Sequence, residues 1–547
     1  MAFMKSYKKL SIALLSLSLA VTSCKKDLAI ENPNNPTPET LNTEKGILSF
    51  ATGGVYITGF RSVKYLDGVY GPFWSGATGF HDLMGDIVGA DAANAYLNQM
   101  GCPEYVLHDD GTKVLNPGRP NNQIELIRNI NVNSQAGGNF LYYEWAYMYN
   151  LIGSCNLLLE KVETAELTGD VASKKAAIRA WAYWWKGFAY SRIGSIYYAG
   201  LILNSAFETN GNYVSKEKII EEASANLDKA VAAAKAAPSA SEFLNTWKAI
   251  IPAFFQLGTG GAMTAAELER NASSLKARNL LVNKRTKDMT AADWNQVLAL
   301  ANAGKQSSDK NFTIRSDVRG DLYTTGQLIM GRTYSNSPGG ATYKVSERWV
   351  QEFKAGDKRF EQNFKEGTKY VGQADRGNAH FTRWALINGG AGLSGVKVFA
   401  SGTAGEFEMQ AAVDFDENEL MKAEALINTS RINEGLALID GVRNRQGAGL
   451  AAVANTGLTL DEAKEELRRE RRIVTALRGM SFYDARRWGV IDKDGGRTKA
   501  VALQSNGKLS TNATVYYNFL DYWDVPDNDL TYNPPAAGSA PVKNPRQ

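Results

Sequence analysis

The stretch NELMKAEALINTSRINEGLALIDGVRNR, Asn418 to Arg445, leaves few options for folding. Apolar residues recur every three or four positions on both sides of a polar break. Leu420, Ala423 and Ile427 therefore line one helical face, and Ile432, Leu436, Ile439 and Val442 line another. The break at Asn428, Thr429 and Ser430 has room only for a tight reversal. Each stripe needs a partner and the nearest is the other helix, so the spacing predicts an antiparallel helical hairpin with small residues at the contact. The same period runs from Ser215 to Pro238, with a face of Ile220, Ala223, Leu227, Ala230 and Val231, Ser215 as N-cap and Pro238 as stop. It recurs over Phe140 to Val162, Ser173 to Ile193, Thr264 to Lys284, Ala291 to Ala303 and Asp461 to Arg478. Helix pairs joined by short turns predict a mainly α scaffold of tetratricopeptide-like units, although no clean repeat of about 34 residues is visible.

Between the helices, Asn204 to Gly211 and Asn311 to Asp414 turn to Gly, Ser, Asn and aromatics, which predicts elaborated loops with short strands. The chain then divides into helical repeats over 139–310 and 410–490, loop-rich insertions over 60–135 and 311–410, and a closing segment over 490–547. All of these belong to one body that starts at 41. Many of the 56 Tyr, Phe and Trp residues fall in polar, Gly-rich runs such as Tyr65 to Phe80 and Tyr323 to Tyr343. Rigid rings on loops cover area at little entropic cost and are candidates for a recognition surface, though most rings should still be core.

The first residues carry Lys5, Lys8 and Lys9, then an apolar run from Leu10 to Val21 that stops at Cys24. A membrane-spanning helix takes about 20 apolar residues, so the run reads as an export signal over 1–23. Val21, Thr22 and Ser23 before the cysteine are similar to the lipobox of bacterial lipoproteins, whose cysteine is lipidated and becomes the first residue. The polar stretch from Lys25 to Thr40, rich in Pro and Asn, reads as a tether. No other segment approaches the length of a membrane span.

Losing the leader takes the formal charge from +4 to about +1, which argues against nucleic acid as the main ligand. Beyond Cys24 only Cys102 and Cys155 remain, and Cys155 sits in an apolar periodic segment, so a disulfide framework is not expected. His81, His108 and His380 are far apart, and neither HExxH nor CxxC spacing occurs. DFDENEL, from Asp414, starts like a calcium loop, but Glu419 stands where the turn needs glycine and Ala425 where the closing glutamate belongs. The GTGGA run from Gly258 makes no phosphate loop and reads as a plain loop.

The segment LRRERRIVTALRGMSFYDARRWG, Leu467 to Gly489, resembles the signature of the SusD/RagB family, surface lipoproteins of Bacteroidetes nutrient-uptake systems, through Glu470, Arg471, Gly479, Phe482, Asp484, Arg487, Trp488 and Gly489. Other stretches agree in family order: Trp145, Tyr149 and Asn156 on one helix, and Arg179, Ala180, Tyr183 and Gly194 on the next. Then come NLDKAV, Asp357 and Arg359 of DKRF, the pair KAEALIN and VRNR with Glu424, Asn428, Arg443 and Arg445, and a closing pattern with Pro526, Asn533 and Pro534. Departures are Val474 and Arg478 where acidic residues are usual, Ser481 for a usual arginine, and Asp529 for a usual glutamate.

An active site built from Arg443, Arg445, Arg471, Arg487, Asp484 and Glu424 is tempting. However, guanidinium and carboxylate groups between packed helices satisfy one another, and an unpaired buried charge is costly, so these residues and Glu470 read as scaffold. Trp488 is expected to pack under the Arg487 guanidinium. The resemblance implies a non-catalytic outer-membrane lipoprotein facing the cell exterior, which captures oligosaccharides or, in the RagB branch, peptides. It would pass them to a SusC-like TonB-dependent transporter. The family's ligand surface is made by loops outside the repeats, which points here to Trp74, Tyr96, Asn98, Tyr323 and Trp384. No cofactor is implied, and a calcium ion bracing a loop is left open. Two rival classes remain: a surface glycosidase, which needs two carboxylates about 5 to 10 Å apart, and a scaffold lipoprotein that holds other proteins.

Overall fold

The computed structural model describes residues 38–57, 80–90, 95–315, 335, 337–340, 343–372, 380–403 and 406–546. The expected helices are present, and most start on a recognisable cap. Helix α1 (Phe140–Thr164) begins after Asn139, whose side chain accepts from the Leu141 N–H, and α2 (Val171–Ile196) begins after Asp170, which accepts from Ser173. They are followed by α3 (Lys216–Lys235), α4 (Ala240–Ile250), α5 (Ala265–Val282) and α6 (Ala291–Asn302). After the long insertion come α7 (Phe415–Asn428), α8 (Ile432–Arg445), α9 (Leu460–Val474) and α10 (Ser481–Arg487). Helices α5, α6 and α9 open on capping boxes in which Thr264, Thr290 and Thr459 exchange bonds with the acidic residue three positions on. Ser215 stands at the N-cap of α3 as expected, but its side chain makes no cap bond.

Helix α2 organises the first block. AWAYWWKGFAY is apolar on nearly every side, Lys186 being its one charged residue, and a helix of that kind is stable only when surrounded. Trp181, Trp184 and Trp185 are buried and meet Tyr56, Trp247 and Phe312; Phe312 lies 5.2 Å from Trp185 in a stacked geometry. Each such ring removes about 150–250 Å² from water, worth about 4–6 kcal/mol before entropy is counted. Two buried indole N–H groups are satisfied by neighbours: Trp184 Nε1 donates to Asn271 Oδ1 at 3.0 Å and Trp247 Nε1 to the Ala177 carbonyl at 2.9 Å. Helix α3 crosses α2 closely because Gly187 and Gly194 have no side chains. A Cβ on Gly187 would sit 2.8 Å from Leu227 Cγ and 3.1 Å from the Ala223 carbonyl, and one on Gly194 2.8 Å from Ile220. The buried face of α3 is Ile219, Ala223, Asn226, Leu227, Ala230 and Ala234; Ile220, expected in the core, is half-buried and covers Gly194.

In the second block, α7 and α8 form the predicted hairpin. Leu420, Ala423 and Ile427 meet Leu436, Ile439 and Val442, and Ala463, Leu467 and Val474 of α9 complete the cluster. Gly435 is the small residue at the contact, since a Cβ there would lie 2.6 Å from Ile427 Cγ1. The two blocks meet where Met421 and Ala425 of α7 join Ala277, Leu281, Trp294, Val297 and Ala301. The architecture is thus mainly α and tetratricopeptide-like, with short strands on the insertions.

Those strands form small antiparallel sheets. Arg497–Leu503, Leu509–Tyr516, Tyr105–Leu107 and Lys113–Leu115 line up in that order, which ties the chain's end to an early insertion. Val88–Ala90 pairs with Tyr343–Val345, and Phe364–Tyr370 with Thr382–Leu386. The closing segment is woven into the first block: Trp523 N donates to the Ile196 carbonyl at 2.7 Å, and Asn533 Nδ2 to the Asn210 carbonyl at 2.7 Å. Cys102 and Cys155 are buried thiols outside any disulfide, Cys102 pushed up by burial to about 12 and Cys155 still higher. Among the described residues no helix is long and apolar enough to cross a membrane.

The tight crossing of α2 and α3 makes a measurable prediction. Gly187→Val should lower stability by about 1–3 kcal/mol through overpacking. Gly153→Ala on α1, where a Cβ would meet nothing within 4 Å, should leave stability unchanged or raise it by up to about 1 kcal/mol. Urea midpoints of the two variants check the pair.

Candidate functional site

The described parts of the two loop-rich stretches converge. Ala90 pairs with Tyr343 and Val88 with Val345, and Gly89 lies so close to His380 that a Cβ would fall 2.0 Å from Nδ1. His380 Nε2 is 2.9 Å from the Asn98 carbonyl, which joins the helix Ala95–Met100 to the same place. Beside it stands the hairpin of Phe364–Tyr370 and Thr382–Leu386, in which Glu366 faces Trp384 and Tyr370 faces Thr382.

Trp384 is half-buried and firmly held. Its Nε1 donates to Glu347 Oε2 at 3.2 Å, its ring meets Phe360 edge to face at 5.1 Å, and the Arg383 guanidinium lies 5.2 Å from its centroid. Glu347 is buried and clamped in turn: the Arg383 backbone N–H donates to Oε1 at 2.7 Å and Arg383 Nη2 to Oε2 at 2.9 Å. The indole N–H is spent internally, so the part solvent reaches is apolar ring with little rotamer freedom left to lose on binding. Nearby, Lys344 Nζ stands 4.4 Å from the Tyr370 centroid and donates to the Gly339 carbonyl at 3.0 Å. Rigid rings flanked by fixed donors and acceptors suit a neutral polar ligand with CH faces.

Of the residues expected to contact ligand, only Trp384 is described as half-exposed. Trp74, Tyr323 and the lipidation candidate Cys24 lie outside the described residues, and Tyr96 lies in the helix Ala95–Met100. Asn98 requires correction: its side chain is only 4 % exposed, and it sits in packing beneath the His380 contact rather than on a surface. Glu347, Arg383 and Tyr370 were not singled out from sequence; the adjacency of Arg383 to Trp384 was the only local signal.

The charged framework is a buried lattice. Glu470 receives Arg359 Nη1 at 2.5 Å and Arg443 Nε at 2.9 Å, and Asp357 holds Arg359 Nη2 at 2.8 Å. Its neighbour Arg471 turns to Asp484 at 3.0 Å, Asp484 accepts Arg487 Nε at 2.7 Å, and Arg487 grips Glu424 through both terminal nitrogens. Burial alone would raise Glu470, but Arg359 and Arg443 overcome it and hold the carboxyl below its usual range; Arg471 and Arg487 do the same for Asp484. These carboxylates are sealed from solvent and already paired, so they act as framework. Trp488 stacks as expected, with the Arg487 guanidinium 4.6 Å from its centroid. Arg445 differs: it lies at the surface, bonded to Asp416 at 2.8 Å and over the Phe415 ring, because it stands on the outer side of the last turn of α8, whose Val442 and Arg443 face inward.

The departures from the family pattern have local partners. Arg478 pairs with Asp414, the cap of α7, and Val474 is buried in the α7–α8–α9 cluster. Asp529 accepts from the Tyr213 hydroxyl. Ser481 Oγ donates to Asp82 Oδ1 at 2.9 Å, while the Gly479 N–H donates to Oδ2 at 3.1 Å. Burial pushes Asp82 up to about 7, and these two hydrogen bonds only partly oppose it. Among the described residues no group of three or more His, Cys, Asp or Glu is placed to hold a metal ion.

Residues 419–536 match the model of the SusD family. Among solved structures, the chain is similar to a SusD-like carbohydrate binding protein from Bacteroides fragilis NCTC 9343, with 14 % identity, 90 % of this chain and 99 % of that one covered, and a TM-score of 0.56. A SusD-like carbohydrate binding protein from Bacteroides vulgatus ATCC 8482 is similar at 12 % identity, with 92 % and 98 % covered and a TM-score of 0.55. A third structure, described with a xylogluco-oligosaccharide, has 15 % identity, 86 % and 97 % covered and a TM-score of 0.51. No curated protein matches in sequence.

The lattice and Asp82 generate two predictions. Glu470→Gln leaves two buried guanidiniums under-compensated and should cost about 3–5 kcal/mol, whereas Arg445→Ala at the surface should cost less than about 1 kcal/mol; denaturant melts of both measure the difference. Asp82 keeps its proton up to about 7 when folded but loses it near 3.8 when unfolded. The folded state therefore binds the extra proton in that window, and the contribution of this group to stability is complete below 3.8 and falls as pH rises towards 7. Asp82→Asn should flatten this part of the stability–pH curve, as read from melts across the window.

Proposed function

Because the chain belongs to the SusD family, through the match over 419–536 and a fold shared along the rest, we propose that it is a cell-surface glycan-capture lipoprotein without catalysis of its own. Lipidation at Cys24 would tether it to the outer membrane, and a SusC-like TonB-dependent transporter would receive its cargo. The observation that carries the reading is the fold match to carbohydrate-binding relatives along nine-tenths of the chain. The immobilised, half-exposed indole of Trp384 on the converging loop face supports it. Sugar rings present CH faces to such a ring and hydroxyls to the polar groups beside it. Affinity per site would be modest, and confinement over a transporter would offset this by raising effective concentration.

The geometry disfavours a glycosidase built at Trp384. Glu347 is committed to Arg383 and to the indole, and Arg383 stands between it and Glu366, at 2.9 and 3.5 Å. A carboxylate whose oxygens are both committed to internal partners is poorly placed to serve as a general acid.

Binding of the chain from Lys25 onward to glycan and peptide arrays tests the proposal. Binding to one glycan class is expected, weakened about tenfold or more by Trp384→Ala, ~1.4 kcal/mol, and largely kept by Trp384→Phe. Binding to peptides alone would move the protein to the RagB type, and hydrolysis of a bound glycan would overturn the non-catalytic reading.

A further inference from the structure

A cavity of about 530 Å³ lies between α9 and the strand Arg497–Leu503. It is separated from Trp384 by the short helix Glu347–Val350, whose Glu347 holds the indole while Arg348 lines the cavity. The lining is strongly cationic, with Arg348, Arg468, Arg469, Arg497 and Lys499 against Glu352 and Glu465.

The ion pairs in its wall do not balance this charge. Glu352 is shared by Arg468, at 2.7 Å to each oxygen, and by buried Arg472 at 2.8 Å. Glu465 is shared by Arg468 at 2.6 Å and Arg469 at 2.9 Å. Asp86, behind the wall, takes Arg348 at 2.7 and 2.8 Å and stands 3.5 Å from Arg497 Nε, a buried atom without a hydrogen-bond acceptor among the described residues. Among the described residues six cations thus face three carboxylates, each already divided between two guanidiniums. Burial, aided by Arg497 and Arg468, lowers Arg472 to about 10 against the pull of Glu352 and Asp86.

The backbone is shaped to the same place. The pairing register of the strand slips between Arg497 and Ala500, and Lys499 within the slip has φ +52°, a left-handed conformation that non-glycine residues rarely hold. Gln351 keeps it there, donating to the Lys499 carbonyl at 2.6 Å and accepting from the Val501 N–H at 2.9 Å. An exposed lysine therefore stands at the rim of the cavity at some conformational cost.

We infer that this cavity binds a small ligand bearing a carboxylate or sulfate group, an acidic sugar being of suitable size and chemistry. Guanidinium forks match such oxyanions bidentately, and pockets of about 300–1,000 Å³ are typical of small-ligand sites. The inference stands whether or not the Trp384 face binds neutral glycan.

Calorimetric titration of the chain from Lys25 onward, which keeps every described residue, tests it with sodium glucuronate, sodium sulfate and neutral glucose at low ionic strength. Saturable binding of at least one anion and none of glucose is expected, weakening as sodium chloride is raised. Glucuronate binding identifies an acidic sugar site, and sulfate binding alone an inorganic oxyanion site. Lys499→Gln and Arg469→Gln, both at accessible positions, should each weaken binding about tenfold without shifting the melting temperature, while Trp384→Ala leaves it unchanged. Failure of both anions to bind, equal binding of glucose, or affinity unaltered in both rim variants would overturn the inference.

Discussion

Glu470 is the residue on which most of the second block depends. It is fully buried and takes a guanidinium from each side, Arg359 from the helix Lys358–Asn363 and Arg443 from α8. The next residue on α9, Arg471, extends the pairing in the other direction to Asp484 on α10, which holds Arg487, which holds Glu424 on α7. Two consecutive residues on one helix thereby connect every helix of the block. Such pairs add little net stability over apolar packing, because desolvation offsets most of the attraction. Any shift of α9 by a turn, however, would strand several charges in the core. We attribute to the lattice the choice of a single register among packings that the apolar stripes alone would leave close in energy.

That register is passed on to the loop face. Asp357 caps the helix Lys358–Asn363 and also holds Arg359. Phe360, one residue on, stacks on Phe364 at 5.7 Å and receives the edge of Trp384. The aromatic platform is thus mounted on the buried lattice rather than on a free loop. Likewise the segment 346–352 faces three ways: Glu347 to Trp384, Arg348 to Asp86, and Glu352 to Arg468 and Arg472. The proposed recognition face and the cationic cavity share one short element and its rigidity.

Much of the helical scaffold was legible in the sequence. Apolar spacing and capping residues are local, and α1, α2, α5, α6, α7 and α8 lie within a few residues of their expected bounds. Helix α9 stops at Val474, short of the expected Arg478, where the chain turns through Leu477 and Gly479 at positive φ. The 11-residue helix α4 escaped notice because it contributes barely three turns of period, although Ser239 and Glu242 mark its start. The candidate site was less readable. Trp384 could be picked by residue type, but Asn98 could not be told from a surface polar residue, since it is buried in a helix that meets His380, 282 positions away.

The sequence by itself determined the elements and their chemistry: which segments are helices, that cysteines play no cross-linking part, and that paired guanidiniums and carboxylates belong to the framework. These follow from spacings of a few residues, where periodicity, capping and the cost of unpaired charge act. Tertiary structure alone decided which charge meets which. Glu347 meets Arg383 and Trp384 across 36 and 37 positions, and Asp86 meets Arg348 across 262 and Tyr517 across 431. No local pattern encodes such pairings. They arise because packing brings segments together that are far apart in the chain.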